Sequence, residues 1–288
     1  MNPTALRLPP RERKPRRAGI TMVVDGGVPL GTLRDIVASA GEFLDFVKFG
    51  WGTAVVSAEL GAKIDLLRAN DVGFYFGGTL FEKHVLQDRF DEYRALCHEW
   101  GCSHVEVSNG SIEMSNLEKA GYVRKLAHEF TVISEVGFKD ANRSDLLSPR
   151  RWIEYAEEDL GAGASLVTLE ARESGSSGIC HADGQLRIGL VEELVNELPV
   201  ERLMFEAPTS ALQAHMVRRV GPNVNLGNVA PSAVISLETL RLGLRADTLL
   251  DFEGAEDADA PALADGDSSR LEWLEGSAQK SWREGGVT

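Results

Sequence analysis

Three glutamates stand where carboxylates are costly to place. Glu135, Glu170 and Glu206 lie at the ends of the apolar runs Thr131–Val136, Ser165–Leu169 and Leu203–Phe205, where desolvation penalises a charge that has no partner. Oxygen ligands at matching ends of successive strands suit Mg²⁺, which keeps several waters and bridges to substrate oxygens. The plainer alternative is that each glutamate pairs with a nearby Arg or Lys at the rim. Lys48, flanked by Val47 and Phe49, is out of place for a solvated side chain. A buried lysine can be a Schiff-base nucleophile, a proton donor or a phosphate contact. Lys139 follows the Glu135 run on a polar segment, so it is either a proton donor or plain surface. Glycine turns recur around Gly50 and Gly52, Gly77-Gly78-Thr79, Gly175 and Gly227-Asn228. Such turns let backbone N–H groups approach an anion closely. Arg172 and Ser174 can add a charge-assisted clamp on a phosphate. The candidate set is therefore Glu135, Glu170 and Glu206 for metal, and Lys139 and Lys48 for catalysis. Substrate contacts are expected from Arg172, Ser174, Gly175, Gly227, Asn228, Asn109 and Thr79. None of the six histidines is assigned chemistry; His181, in a loop, is a candidate for lining an entrance.

The elements that would carry these groups repeat one theme. Short β-rich runs at Ile20–Val24, Phe43–Phe49, Gly73–Phe76, His104–Val107, Thr131–Val136, Ser165–Leu169, Leu203–Phe205 and Val224–Leu226 alternate with amphipathic stretches. Eight is the number that closes a parallel barrel. Several runs are apolar at nearly every position, as strands covered on both faces require. Leu30–Ala40, Glu82–Trp100 and Pro149–Leu160 show helical periodicity, the last with Ser148-Pro149 as cap and first residue. The first strand is not followed by GxGxxG, which removes one reason to prefer an open doubly wound sheet. The expected fold is a single α/β domain, a (β/α)₈ TIM barrel over residues 18–250. Its active site should lie at the C-terminal strand ends.

Charge and composition narrow the partners. The 288 residues carry a formal net charge of −14, against a nucleic-acid partner, which needs a basic face. Residues 1–17 form a basic arm, with six Arg/Lys against Glu12, expected to be solvated. Residues 251–288 form an acidic tail, with ten Asp/Glu against three Arg/Lys, expected to be disordered. Leu271, Trp273, Leu274 and Trp282 offer a way to dock a short helix back. No apolar run approaches the ~20 residues of a membrane span. There is no signal-peptide pattern, and the three cysteines lack metal-ligand spacing. A cytoplasmic homo-oligomer with free thiols is expected.

Longer blocks then identify a resemblance. Val47-Lys48-Phe49-Gly50-Trp51-Gly52-Thr53, Gly77-Gly78-Thr79-Leu80-Phe81-Glu82, Ser108-Asn109-Gly110 and Ser134-Glu135-Val136-Gly137 closely resemble the phosphosulfolactate synthase family. So do Glu170-Ala171-Arg172-Glu173-Ser174-Gly175, Phe205-Glu206-Ala207-Pro208 and Gly221-Pro222-Asn223-Val224-Asn225-Leu226-Gly227-Asn228-Val229-Ala230-Pro231, in order from Lys14 to Thr248. The resemblance implies a Mg²⁺-dependent lyase that adds sulfite to phosphoenolpyruvate, giving (2R)-phospho-3-sulfolactate in coenzyme M biosynthesis. Sulfite would attack the CH₂ carbon and create an aci-carboxylate for the metal to neutralise, with Lys139, then Lys48, as candidates to protonate C2. Plant heat-stress proteins also belong to the family, so a non-catalytic role stands beside the lyase. A lyase adding another nucleophile to an enol phosphate is the third possibility. Two departures bear on sulfite recognition more than on phosphate binding: Gly26 and Phe138 stand where members often carry lysine.

Overall fold

The computed structural model describes residues 6–252. The acidic tail beyond Phe252, with its four apolar docking candidates, lies outside the described residues, as do the first five of the basic arm. Eight strands alternate with helices: β1 Thr21–Asp25, α1 Leu30–Ala40, β2 Phe46–Phe49, α2 Thr53–Val56, α3 Leu60–Arg68, β3 Gly73–Phe76, α4 Gly78–Leu86, α5 Phe90–Glu99, β4 His104–Val107 and α6 Asn116–Leu126. There follow β5 Thr131–Val136, α7 Ala141–Asp145, α8 Pro149–Gly161, β6 Ala164–Leu169, α9 Ile188–Glu197, β7 Leu203–Glu206, α10 Ser210–Val220, β8 Leu226–Val229 and α11 Val234–Arg241. All ladders are parallel, in the order β3-β2-β1-β8-β7-β6-β5-β4. This is a nearly closed (β/α)₈ barrel, with β3 and β4 flanking the seam. A side chain bridges that seam: Glu106 on β4 accepts the Gly78 N–H, at the start of α4 two residues past β3.

Apolar residues fill two zones, as barrel geometry demands. The larger lies between sheet and helices, where Leu33 and Val37 of α1, Val123 and Leu126 of α6 and Trp152 of α8 are fully or nearly fully buried. A smaller cluster of Ile20, Met22, Tyr75, Ile133, Leu166 and Met204 plugs the barrel interior. The polar inner-face residues Lys48, Glu106 and Glu135 line the cleft at the C-terminal mouth. Leu30–Ala40 is one helix as its periodicity predicts, and Ser148 accepts the Arg151 N–H to cap α8 with Pro149 at its first turn.

Three boundaries differ. The stretch Glu82–Trp100, expected as one helix, is two, because the chain turns at Asp88 with φ of 57°. The second strand starts at Phe46, after a 3₁₀ turn over Gly41–Phe43. The eighth runs Leu226–Val229 rather than Val224–Leu226, since Leu226 pairs with Phe205 and Gly227 with Glu206. Asn225 instead ties the N-terminal strand ends together, accepting the Ile20 N–H and donating to the Glu201 and Leu203 carbonyls.

The arm is not solvated at two of its arginines. Arg11 pairs with Glu238 at 2.9 Å and donates to the Pro222 carbonyl. Arg16 pairs with Asp45 at 2.8 Å, and Asp45 accepts the Thr21 N–H at the foot of β1. Buried acidic partners on the barrel draw in a segment that composition alone marks as solvated. Cys97, Cys102 and Cys180 are buried free thiols. Among the described residues, no helix is long and apolar enough to cross a membrane.

Candidate active site

Lys48 stands at the centre of the mouth, brought there by its place one residue before the end of β2. Its Nζ lies 3.3 Å from Glu106 Oε1, 3.3 Å from Glu206 Oε1 and 3.8 Å from Glu135 Oε2. One ligand oxygen from each of Glu135, Glu170 and Glu206 lies within 4.8 Å of the others, and all three residues are buried. These groups line a cleft of about 350 Å³ with Thr79, Lys139, Asn228 and Trp51.

Backbone groups hold the carboxylates in place. Glu206 Oε2 accepts the N–H groups of Ala171 and Arg172 at 3.0 and 3.1 Å, and its Oε1 accepts the Asn228 amide. Glu170 Oε1 accepts the Arg172 N–H at 2.6 Å. Arg172 reaches both because its φ is 61°, a left-handed conformation that non-glycine residues adopt at some cost and that recurs at functional sites. Behind β5, Lys119 donates to the Glu135 carbonyl at 2.7 Å and pairs with Asp159 at 2.7 Å. Lys139 Nζ donates to Thr79 Oγ1 at 2.9 Å, at the start of α4.

Charge dominates the site. Four buried carboxylates, Glu106, Glu135, Glu170 and Glu206, face two lysines. Burial and the charges of Glu206 and Glu135 push the Glu170 carboxyl well above the usual range. Burial likewise raises Glu106, against the pull of Lys48, to about 7. Burial disfavours charge on Lys48, but Glu106, Glu206 and Glu135 outweigh it and hold the ammonium form firmly. Lys139 is raised too, since Glu135, Glu170 and Glu82 outweigh its burial. Glu135 is lowered, because Lys139 and Lys48 overcome its burial. As carboxylates, Glu135 Oε1 and Glu170 Oε2 are buried without a hydrogen-bond donor, and so is Asn228 Oδ1. A surplus of two negative charges, with unpartnered oxygens converging, fits a divalent cation held by hard oxygen donors.

The structure brings together seven of the twelve expected residues. Lys48, Lys139, Thr79, Glu135, Glu170, Glu206 and Asn228 line the cleft. Asn228 does so from within β8, not from a following loop. The other five do not line it. Gly227 sits in the barrel wall against Met22 and Met204. Asn109 braces its own loop through the Met114 carbonyl. Ser174 is exposed and bonds Ser176, while Gly175 packs toward Leu212. The Arg172 side chain is half exposed and donates to the Lys139 carbonyl at 3.3 Å. His181 lies 3.8 Å from Asp145, outside the cleft lining. Sequence reasoning missed Glu106, although its signal resembles that of Glu135: a glutamate inside a short apolar strand, here between Val105 and Val107. The Gly26 departure has a structural counterpart, since a Cβ there would fall 2.1 Å from the Trp51 ring.

Comparison with known proteins accords with this geometry. Residues 9–247 match the family model described as (2R)-phospho-3-sulfolactate synthase (ComA). The chain is 46% identical over 249 residues to the phosphosulfolactate synthase of Bacillus subtilis (strain 168), covering 86% of this chain and 99% of that one. It is 42% identical over 253 residues to that of Methanothermobacter thermautotrophicus, covering 86% and 98%. Protein HEAT-STRESS-ASSOCIATED 32 of Arabidopsis thaliana is 26% identical over 258 residues, covering 80% and 88%. Among solved structures, 3-hexulose-6-phosphate synthase from Salmonella typhimurium aligns with a TM-score of 0.50 at 14% identity. It covers 78% of this chain and all of that one, a likeness of fold alone. The strand-end carboxylates, their central lysine and these relatives together make the chain an enzyme of the phosphosulfolactate synthase family.

Proposed function

We propose that the enzyme adds sulfite to phosphoenolpyruvate, giving (2R)-phospho-3-sulfolactate. The observation that carries this is the convergence of Glu135, Glu170 and Glu206 beside Lys48 and Lys139 in one small cleft. The sulfite sulfur lone pair forms a bond to C3 as the C2=C3 π pair moves toward the carboxylate. The result is an aci-carboxylate with the phosphate ester intact. Mg²⁺ held by the three glutamates would supply the positive charge that such a dianion needs. Lys48, held charged by its carboxylate neighbours, adds positive charge to the same cleft. Lys139, held as the ammonium, delivers a proton to C2 from one face, which fixes the configuration; its Nζ then regains a proton from solvent. Thr79 orients that Nζ.

Purified enzyme with phosphoenolpyruvate, sulfite and Mg²⁺ should consume sulfite one for one, while ³¹P NMR shows the phosphate retained as an ester. EDTA should stop turnover and added Mg²⁺ restore it. Absence of sulfite consumption would sink the assignment. The Trp51 ring over Gly26 makes one corner of the mouth aromatic rather than cationic. Other nucleophiles should therefore be compared by mass spectrometry of the products.

A further inference from the structure

The peptide unit that leads into Lys139 is held by two other loops. The Lys139 N–H donates to the Gly110 carbonyl at 3.2 Å, in the loop after β4. The Phe138 carbonyl accepts two hydroxyls, from Ser144 and Ser177, each at 2.7 Å. Ser144, in α7 just beyond Lys139, also accepts the Phe138 N–H at 3.1 Å. Ser177 comes from the loop after β6, 39 residues along the chain from Phe138.

The neighbours of Ser177 grip a second catalytic element. Ile179 N–H donates to the Glu170 carbonyl at 2.8 Å. Gly178, at φ of 65°, passes so near that a Cβ would fall 1.8 Å from the same oxygen, so only glycine fits there. Three consecutive residues therefore tie the backbone of Glu170 to that of Lys139. Arg187 reinforces the link, donating to the Ser144 and Gly178 carbonyls at 3.1 and 3.0 Å. Ser177 is 1% exposed, and its hydroxyl would be buried and unsatisfied without Phe138.

A single neutral hydrogen bond adds little net stability. A shift of about 1 Å at a reacting group can cost about 100-fold in rate, so such a bond acts chiefly on geometry. We propose that Ser177 is a positioning residue for Lys139, setting its height above the carboxylate cluster by locking the Phe138 carbonyl to the loop that carries Glu170. This rests on Lys139 being the proton donor of the proposed reaction.

Two readouts separate that role of Lys139 from the clamp itself. Ser177→Ala should lower kcat by about 10- to 100-fold with KM for phosphoenolpyruvate within about threefold of wild type. Ser177→Thr keeps the hydroxyl and should recover most of kcat. In competitive labelling with isotopic acetic anhydride, Ser177→Ala should raise the reactivity of Lys139 several-fold relative to two references in the same sample, Lys48 and Lys63, the latter paired with Asp25 at 2.7 Å. Unchanged kcat with unchanged relative labelling in folded Ser177→Ala would overturn the clamp. An equal rise at all three lysines would do so as well, since it signals general loosening. If the wild-type enzyme shows no turnover, the proposed reaction fails and the labelling ratio alone decides the clamp. Should Ser177→Ala not fold, Ser177→Cys, which weakens the donor, takes its place. A selective rise at Lys139 in that variant supports the clamp, and an unchanged ratio overturns it.

Discussion

Glu170 shows how stability and function compete at a single residue. Its carboxyl is buried among Glu206 and Glu135, with one oxygen lacking any donor. Removing its charge should relieve repulsion and remove a proposed metal ligand together. Glu170→Gln should melt higher than the metal-free wild type, by about 1 kcal/mol in stability. It should lose the Mg²⁺-dependent rise in Tm and at least about 100-fold in kcat/KM. Thermal melts with and without Mg²⁺ check the first two, and steady-state rates the third. Glu106 makes a pH prediction. Its carboxyl titrates at about 7 in the fold against an ordinary 4.5. A raised folded pKa means stability fully present below the ordinary value and lost as pH rises through about 7. Metal-free wild type should lose on the order of 2–3 kcal/mol between pH 5 and 8 relative to Glu106→Gln. Parallel urea curves for the two proteins across that range would contradict it.

At the scale of elements, α6 and α8 hold β5 from behind through one buried pair. Lys119 and Asp159 are 1% and 0% exposed at the side chain, and Ser134 also bonds Asp159. Breaking such a pair strands a buried charge, so Lys119→Met should destabilise by about 3–5 kcal/mol. The double variant Lys119→Met/Asp159→Leu should recover most of that loss, as replacing both partners by apolar groups usually does. Because Lys119 also donates to the Glu135 carbonyl, the recovered protein should remain slower than wild type. Chemical denaturation and rates on the three variants decide it. The sequence reveals α1 and α8 because spacing and caps are local properties. It conceals the break at Asp88, where an ordinary aspartate adopts positive φ. It also places β8 too early, since strand registry with β7, not the apolar run, decides where pairing begins.

For the whole molecule, the barrel depends on a segment that precedes its first strand. Arg11 and Arg16 pair with Glu238 and Asp45, which are both buried. Deleting residues 1–17 removes the arginine partners of both carboxylates, leaving Glu238 only Arg241 at 4.0 Å and Asp45 only the Thr21 N–H, so the shortened chain should lose about 3 kcal/mol while any folded fraction keeps its KM. A deletion that leaves Tm unchanged would show the contacts to be idle. Mg²⁺ bound at the proposed site would act on the same scale by mass action: at about 100 times its Kd it should add about 2.7 kcal/mol of stability. A calorimetric titration of Tm against free Mg²⁺ checks that value.

By itself the sequence determined the eight strands, their parallel order and the row of strand-end glutamates. Each of these is written in local alternation, in run length and in the rule that barrel sites lie at C-terminal strand ends. Only the tertiary structure decided what those glutamates face. Lys48 meets Glu106 and Glu206 across separations of 58 and 158 residues, and Ser177 meets the Phe138 carbonyl from another loop. It also turned Arg172 so that its backbone, more than its guanidinium, serves the cluster. The physical reason is that these contacts depend on ladder registry and loop path, which no local spacing encodes.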